Sequence, residues 1–134
     1  MQFNTTTDYA VRILLYLATV ERMAASKEIA EAMNIPPKYI TTIVSRLKER
    51  KFIQTFQGAG GGYSLIRSPQ EITLWDIVDT MEGGITINCC SVCDTACILF
   101  DGSRCALHRT YGAVQQSVES VLNGITLQSL IHDG

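Results

Sequence analysis

The stretch SKEIAEAMNIPPKYITTIVSRLKERKFIQTFQGAGGGYSL, residues 26–65, decides the fold of this chain. It predicts a short helix with an apolar stripe, a tight break before Pro36, a second helix over residues 37–50, and a hairpin over residues 52–66 with a glycine-rich tip. Pro37 suits the first turn of the second helix, because the N–H that proline lacks would have no helical partner there. The order of helix, turn, helix and hairpin is that of a winged helix-turn-helix.

Helices are also predicted before and after this stretch. The first begins near Thr5 and Asp8, which have the spacing of a capping box. The last long helix has apolar residues separated by 4, 3, 4 and 3 positions, the a/d spacing of a coiled coil. We expect this stripe to be a dimer seam, although it could instead lie on the core of its own chain. The stripe consists of Leu107, Tyr111, Val114, Val118 and Val121.

The expected fold class is mainly α with a small β-hairpin. Residues 1–83 are predicted to form the winged helix-turn-helix DNA-binding domain, residues 84–105 a cysteine-rich cluster-binding loop, and residues 106–134 the dimerisation helix with a C-terminal helix. The N-terminus has no secretory signal pattern, and the longest apolar run, ILLYLA, is far too short to span a bilayer. We therefore expect a cytoplasmic protein that does not interact with membranes.

The charge distribution favours a polyanionic partner for the first half of the chain. Residues 1–67 carry nine Lys and Arg against five Asp and Glu, whereas residues 68–134 carry two against eight. Local basic surface matters more for nucleic-acid binding than the net charge of −2. No paired catalytic carboxylates, Ser-His-Asp set or nucleotide-binding fingerprint is recognisable, so an enzyme is not expected.

Short hydroxyl and basic side chains face away from the apolar stripe of the second helix. Short side chains let a helix approach base edges closely, and Lys and Arg neutralise phosphates. Tyr39 could either pack or bond a phosphate, and the wing tip could lie close to the sugar-phosphate backbone. The predicted DNA-binding residues are Lys38, Tyr39, Thr41, Thr42, Ser45, Arg46 and Lys48 in the helix and Gln57, Gly58, Gly60, Gly61 and Gly62 in the wing.

All five cysteines fall in residues 88–108, at Cys89, Cys90, Cys93, Cys97 and Cys105, and His108 follows one helical turn later. In a reducing compartment such clustering indicates metal ligands or a redox switch before it indicates disulfides. A zinc site would show two C-x2-C pairs, and only one is present. The irregular spacing suits an iron–sulfur cluster better.

Taken together, the motifs TTDYAVRILLYLA, IPPKYITTIVSRLKERKFI, GAGGGYSL, ITLWDIVDTMEG, the cysteine loop and LNGITLQSLI resemble a known family along essentially the whole chain. This family comprises winged-helix bacterial transcription regulators typified by IscR and NsrR, which hold an iron–sulfur cluster in a three-cysteine loop. The resemblance implies a homodimer that binds near-palindromic double-stranded DNA and a 2Fe–2S or 4Fe–4S cluster.

The resemblance implies three cysteine ligands and one ligand of another type. Cys97 and Cys105 match two of the thiolates, and either Cys90 or Cys93 matches the third. His108 matches the fourth ligand of IscR-like members, and Asp8 matches the partner-donated ligand of NsrR-like members.

The chain departs from the family pattern at Gln57, where many members carry arginine, which indicates a different operator preference. Its expected function is cluster-dependent regulation of transcription, in particular repression, that responds to cluster status, NO, O₂ or iron. The alternatives are a cluster-free thiol/disulfide switch on the same fold and a zinc-stabilised interaction module.

Overall fold

The computed structural model describes residues 2–87 and 105–133, which form six helices and one two-stranded sheet. The elements are α1 (Thr5–Val20), α2 (Ser26–Met33), α3 (Pro37–Glu49), β1 (Ile53–Phe56), β2 (Gly62–Leu65), α4 (Leu74–Glu82), α5 (Ala106–Asn123) and α6 (Leu127–Asp133). A mainly α fold with a small antiparallel hairpin is the architecture that the sequence predicts.

Helix α1 lies at the centre of the packing. It contacts α2, α3, α4, α6 and β2, so its apolar residues are covered from several directions. Ala10, Ile13 and Leu14 are completely buried, and Leu17 is nearly so. Burying a Leu or Ile side chain stabilises a fold by about 1.5–3 kcal/mol, which makes this helix the main contributor to the core.

The helix-turn-helix forms because α2 cannot continue past Asn34. Asn34 adopts a left-handed conformation with φ of 53° and caps α2 by donating its N–H to the Ala30 carbonyl. Pro37 then occupies the first turn of α3. On α3 the side chains of Ile40, Ile43, Val44 and Leu47 are buried, and the opposite face is left in solvent.

The wing is attached to the loop between α1 and α2. Strands β1 and β2 pair antiparallel with Ile53 opposite Leu65. Tyr63 extends the pairing to Ala24 through two backbone hydrogen bonds, each 2.9 Å long. A Cβ placed on Gly62 would lie 2.3 Å from the Ala24 oxygen, so only glycine allows this close approach.

The C-terminal helix completes the core that α1 and its neighbours form. Thr73 and Asp76 form the capping box that starts α4, and Thr73 also bridges to Thr126 just before α6. Leu127 at the start of α6 is completely buried in the same core cluster as α1. Residues 127–133 therefore pack on the N-terminal part of the fold, although they follow the predicted dimerisation helix in sequence.

Helix α5 has no buried residue and packs on α4. In the described part of the chain, no helix is long and apolar enough to cross a membrane.

Candidate nucleic-acid interface and cysteine segment

The outer face of α3 presents most of the predicted DNA-binding side chains to solvent. Lys38, Thr41, Thr42, Ser45 and Lys48 are all exposed. The Ser45 hydroxyl donates to the Thr41 carbonyl one turn earlier at 3.0 Å, which keeps this side chain close to the helix axis. This face of α3 therefore has short side chains at Thr41, Thr42 and Ser45, flanked by lysines. Such a surface can lie close to base edges in a DNA groove.

Tyr39 packs within the protein rather than pointing freely into solvent. Its ring lies 5.4 Å from the ring of Tyr9 on α1, and the ammonium of Lys38 lies 5.1 Å from the Tyr39 ring centroid. Arg12 lies 5.7 Å from the Tyr9 ring on the other side. The Tyr39 ring therefore holds the first turn of α3 against α1, and a bond from its hydroxyl to a phosphate stays a prediction.

Arg46 differs from the other basic residues of α3. Its Nη1 donates to the Met81 carbonyl of α4 at 3.1 Å. Although Arg46 is exposed overall, one edge of its guanidinium is held by protein. The apolar stripe alone could not reveal this contact, because Arg46 and Met81 are 35 residues apart.

The wing tip divides into an exposed part and a packed part. Gln57, Gly58 and Gly60 are exposed, and the two glycines have φ values of 92° and 83°. Gly61 and Gly62 instead lie against backbone: a Cβ on Gly61 would come within 2.2 Å of the Phe56 oxygen. These last two glycines are thus required by the hairpin itself, whatever their distance from DNA.

An ion-pair cluster clamps α1 to α2, and sequence analysis did not anticipate it. Arg22 donates to the Glu28 carboxylate through both terminal nitrogens of its guanidinium, Nη1 at 3.1 Å and Nη2 at 3.0 Å. Tyr16 donates its hydroxyl to the same carboxylate. The hydrogen bonds from Arg22 and Tyr16 lower the pKa of the Glu28 carboxyl. The hydrogen bond to Glu28 raises the pKa of Tyr16. The clamp fixes the first helix of the helix-turn-helix.

The candidate metal ligands are only partly within the described residues. Cys105 is half-buried at the N-cap of α5, and His108 is half-buried one turn later on the same helix. Asp8 lies on α1 and forms an ion pair with Arg12 at 2.8 Å; the side chain of Asp8 is 57% exposed. Cys89, Cys90, Cys93 and Cys97 lie outside the described residues.

Residues 2–87 and 105–133 contain no group of three His, Cys, Asp or Glu side chains that could hold a metal ion. The other four cysteines of the chain are the remaining candidate thiolate ligands. The donor set fits an iron–sulfur cluster chemically, because thiolates are the usual ligands of iron in such clusters. Cys105 would belong to that set, with His108 or Asp8 as the ligand of another type.

The predicted dimer seam lies on the outer side of α5. Leu107, Val114 and Val121 are exposed by 54%, 44% and 62%, and Tyr111 and Val118 are half-buried. Large apolar side chains repeated along an exposed helix face indicate a protein interface.

The described geometry is that of a winged helix-turn-helix with its polar α3 face and wing exposed. A family model described as "Iron-dependent Transcriptional regulator" and named Rrf2 matches residues 3–133. The chain belongs to the Rrf2 family. The transcriptional regulator NsrR of Geobacillus kaustophilus is 32% identical over 138 residues, covering 99% of this chain and 91% of that protein. The NsrR of Shouchella clausii is 30% identical, covering 98% of this chain and 95% of that protein.

Solved structures of Rrf2-type regulators have the same fold. IscR of T. potens matches with a TM-score of 0.78 and 26% identity, covering 99% of this chain and 88% of that chain. CymR of B. subtilis, described as the global cysteine regulator, matches with a TM-score of 0.76 and 28% identity, covering 100% and 98%. The chain is thus a transcription regulator of a DNA-binding family and not an enzyme, as the sequence predicts.

Proposed function

We propose that this Rrf2-family regulator binds a near-palindromic operator as a homodimer and holds an iron–sulfur cluster through its cysteine segment. The observation that carries the cluster proposal is the gathering of all five cysteines within residues 89–105, with His108 one turn after the last. A bound cluster would supply an iron centre that reacts with O₂ or NO. Family membership and the similarity to NsrR and IscR support the same reading.

In the proposed DNA complex, α3 enters the major groove. Thr41 and Thr42 would approach the base edges, because they lie in the N-terminal half of α3 and are exposed, and the exposed Ser45 follows them one turn later. Lys38 and Lys48 flank them and would neutralise phosphates. Gln57, Gly58 and Gly60 at the wing tip would approach the neighbouring backbone.

The homodimer proposal rests on α5. Its stripe of five apolar residues has the spacing of a coiled-coil seam, and three of its members are largely exposed. A homodimer paired through this stripe would have the two-fold symmetry that a near-palindromic operator matches. Both candidates for the fourth ligand stay open: His108, one turn after Cys105, and Asp8, which matches the partner-donated ligand of NsrR-like members.

The DNA proposal is tested with a duplex selected from a random library by the wild-type protein. Replacing Lys38 or Lys48 with glutamine should weaken binding and lower the slope of log K against log[salt] by about 1 per subunit. Arg109→Gln is the matched control, because Arg109 is an exposed cation on α5, distant in sequence from α3. Equal slopes for all three variants and the wild type would contradict α3 as the DNA-reading helix.

The cluster proposal is tested on protein purified without oxygen. We expect visible absorption of an iron–sulfur cluster, with iron and sulfide in matching amounts. Cys97→Ser and Cys105→Ser should lose most of the iron, whereas the matched variant Cys89→Ser should retain it. Comparing His108→Ala with Asp8→Ala identifies the fourth ligand, since only the ligand's loss should change the spectrum. Full iron retention in both Cys97→Ser and Cys105→Ser would overturn the proposal.

A second candidate is a thiol/disulfide switch on the same fold, which the similarity to CymR, the global cysteine regulator of B. subtilis, supports. It predicts a colourless protein under the same anaerobic conditions. It also predicts that a disulfide among the cysteines changes operator affinity and that dithiothreitol reverses the change. A zinc-stabilised module without a DNA role does not agree with membership of a family of transcription regulators.

A further inference from the structure

We propose that Arg46 is a positioning residue, which fixes the recognition helix to the end of α4, and that it does not contact DNA. This inference rests on the proposed role of α3 as the recognition helix. Six polar or basic side chains lie on the outer face of that helix, and the inference is that one of them, Arg46, contacts the protein and not the operator. The contact that carries it is the 3.1 Å hydrogen bond from Arg46 Nη1 to the Met81 carbonyl.

The end of α4 is a favourable place for a cation. The last carbonyls of a helix have no partner within the helix and carry a partial negative charge. Helix α4 has no basic residue in its own last turn. Arg46 supplies that charge from α3 and satisfies the Met81 carbonyl, while Gly83 caps Asp79 with φ of 75°. A guanidinium held in this way is a poor candidate for reaching a phosphate.

Glu82, the next residue of α4, binds the start of α1. Glu82 accepts the Asn4 N–H at 2.6 Å and the hydroxyl of Thr7 at 3.0 Å. Thr7 is only 2% exposed, so this contact lies at the edge of the core. Two consecutive residues, Met81 and Glu82, thus connect α3 and α1 to the helix that leads toward the cysteine segment. Arg46 therefore adds to the buried contacts of α3 a polar contact that holds the C-terminal half of this helix to α4.

Comparing binding to specific and non-specific DNA distinguishes a positioning role of Arg46 from a phosphate contact. A lost phosphate contact weakens binding to all sequences alike and lowers the salt slope, whereas a misplaced recognition helix weakens binding to the operator only. Full-length Arg46→Gln is compared with Lys48→Gln on the selected duplex and on an unrelated duplex. The temperature is one at which circular dichroism shows every variant fully folded. Arg46→Met serves as a second variant, because its apolar side chain is about as long as that of glutamine and cannot donate to the Met81 carbonyl.

For Arg46→Gln we expect about tenfold weaker binding to the selected duplex, with unchanged salt slope and unchanged affinity for the unrelated duplex. Lys48→Gln should weaken binding to both duplexes and lower the slope. A slope lowered by about 1 per subunit in Arg46→Gln would make Arg46 a phosphate contact and overturn the inference. Wild-type affinity for both duplexes would overturn it as well. If Lys38→Gln and Lys48→Gln also behave as wild type, the proposed role of α3 fails, which is a distinguishable result.

Discussion

Replacing Gly62 with alanine should detach the wing from the loop between α1 and α2. The new Cβ would lie 2.3 Å from the Ala24 oxygen, and ordinary contact begins near 3.4 Å, so the two backbones must separate by about 1 Å. That separation weakens both hydrogen bonds between Tyr63 and Ala24, which are worth about 1 kcal/mol each. Overpacking adds about 1 kcal/mol or more.

The expected loss in the free energy of unfolding is therefore about 3 kcal/mol, or roughly 10 °C in melting temperature. The assay is urea denaturation followed by circular dichroism. Gly60→Ala is the matched control. A Cβ there meets no atom of the described residues within 4 Å, so the cost is that of the positive φ, about 1 kcal/mol. Equal stability of Gly62→Ala and Gly60→Ala would refute the assignment of the wing anchor to this backbone contact.

Three further predictions follow from the clamp and from α5. The lowered pKa of Glu28 means that its contribution to stability is present above the unfolded pKa, about 4.3, and is lost as the pH falls through the lower folded pKa. We therefore expect the urea midpoint of the wild type to exceed that of Glu28→Gln at pH 6, and the difference to disappear as the pH is lowered to 3. A difference that stays constant over this range would contradict the role of Arg22. Gly112→Ala should stabilise α5 by about 0.5–1 kcal/mol in thermal unfolding, because the added methyl meets no atom within 4 Å in the described part of the chain; a lower midpoint would show that this space is occupied. Val114→Glu combined with Val121→Glu should give monomers in sedimentation velocity, and an unchanged dimer would exclude the α5 seam.

The local parts of the fold follow from the sequence because their causes are local. The apolar spacing of α3 and the proline at its start predict a helix over residues 37–50, and the structure has it at Pro37–Glu49. The spacing of Thr73 and Asp76 gives a reciprocal capping box, with bonds of 3.0 and 3.1 Å. Here the partners lie within one turn of each other, so a single sequence window contains the whole interaction.

Interactions between distant residues could not be read in this way. The capping box expected from Thr5 and Asp8 is wrong: Asn4 is the N-cap of α1, and it is bound by Glu82, 78 residues away. Arg46 has the spacing of an outward-facing residue, yet its partner on α4 becomes visible only when the helices are packed. The close approach of Gly62 to Ala24 likewise depends on the tertiary fold. From the sequence alone, the glycines at this position are equally well explained by a glycine-rich turn.

We propose that the state of the cysteine segment controls DNA binding by α3. The most direct measurement is the dissociation constant for the selected duplex of one anaerobic preparation, before and after removal of its iron and sulfide. We expect the two dissociation constants to differ by about tenfold or more, and the first value to return after reconstitution of the cluster. Identical constants for both forms would contradict it.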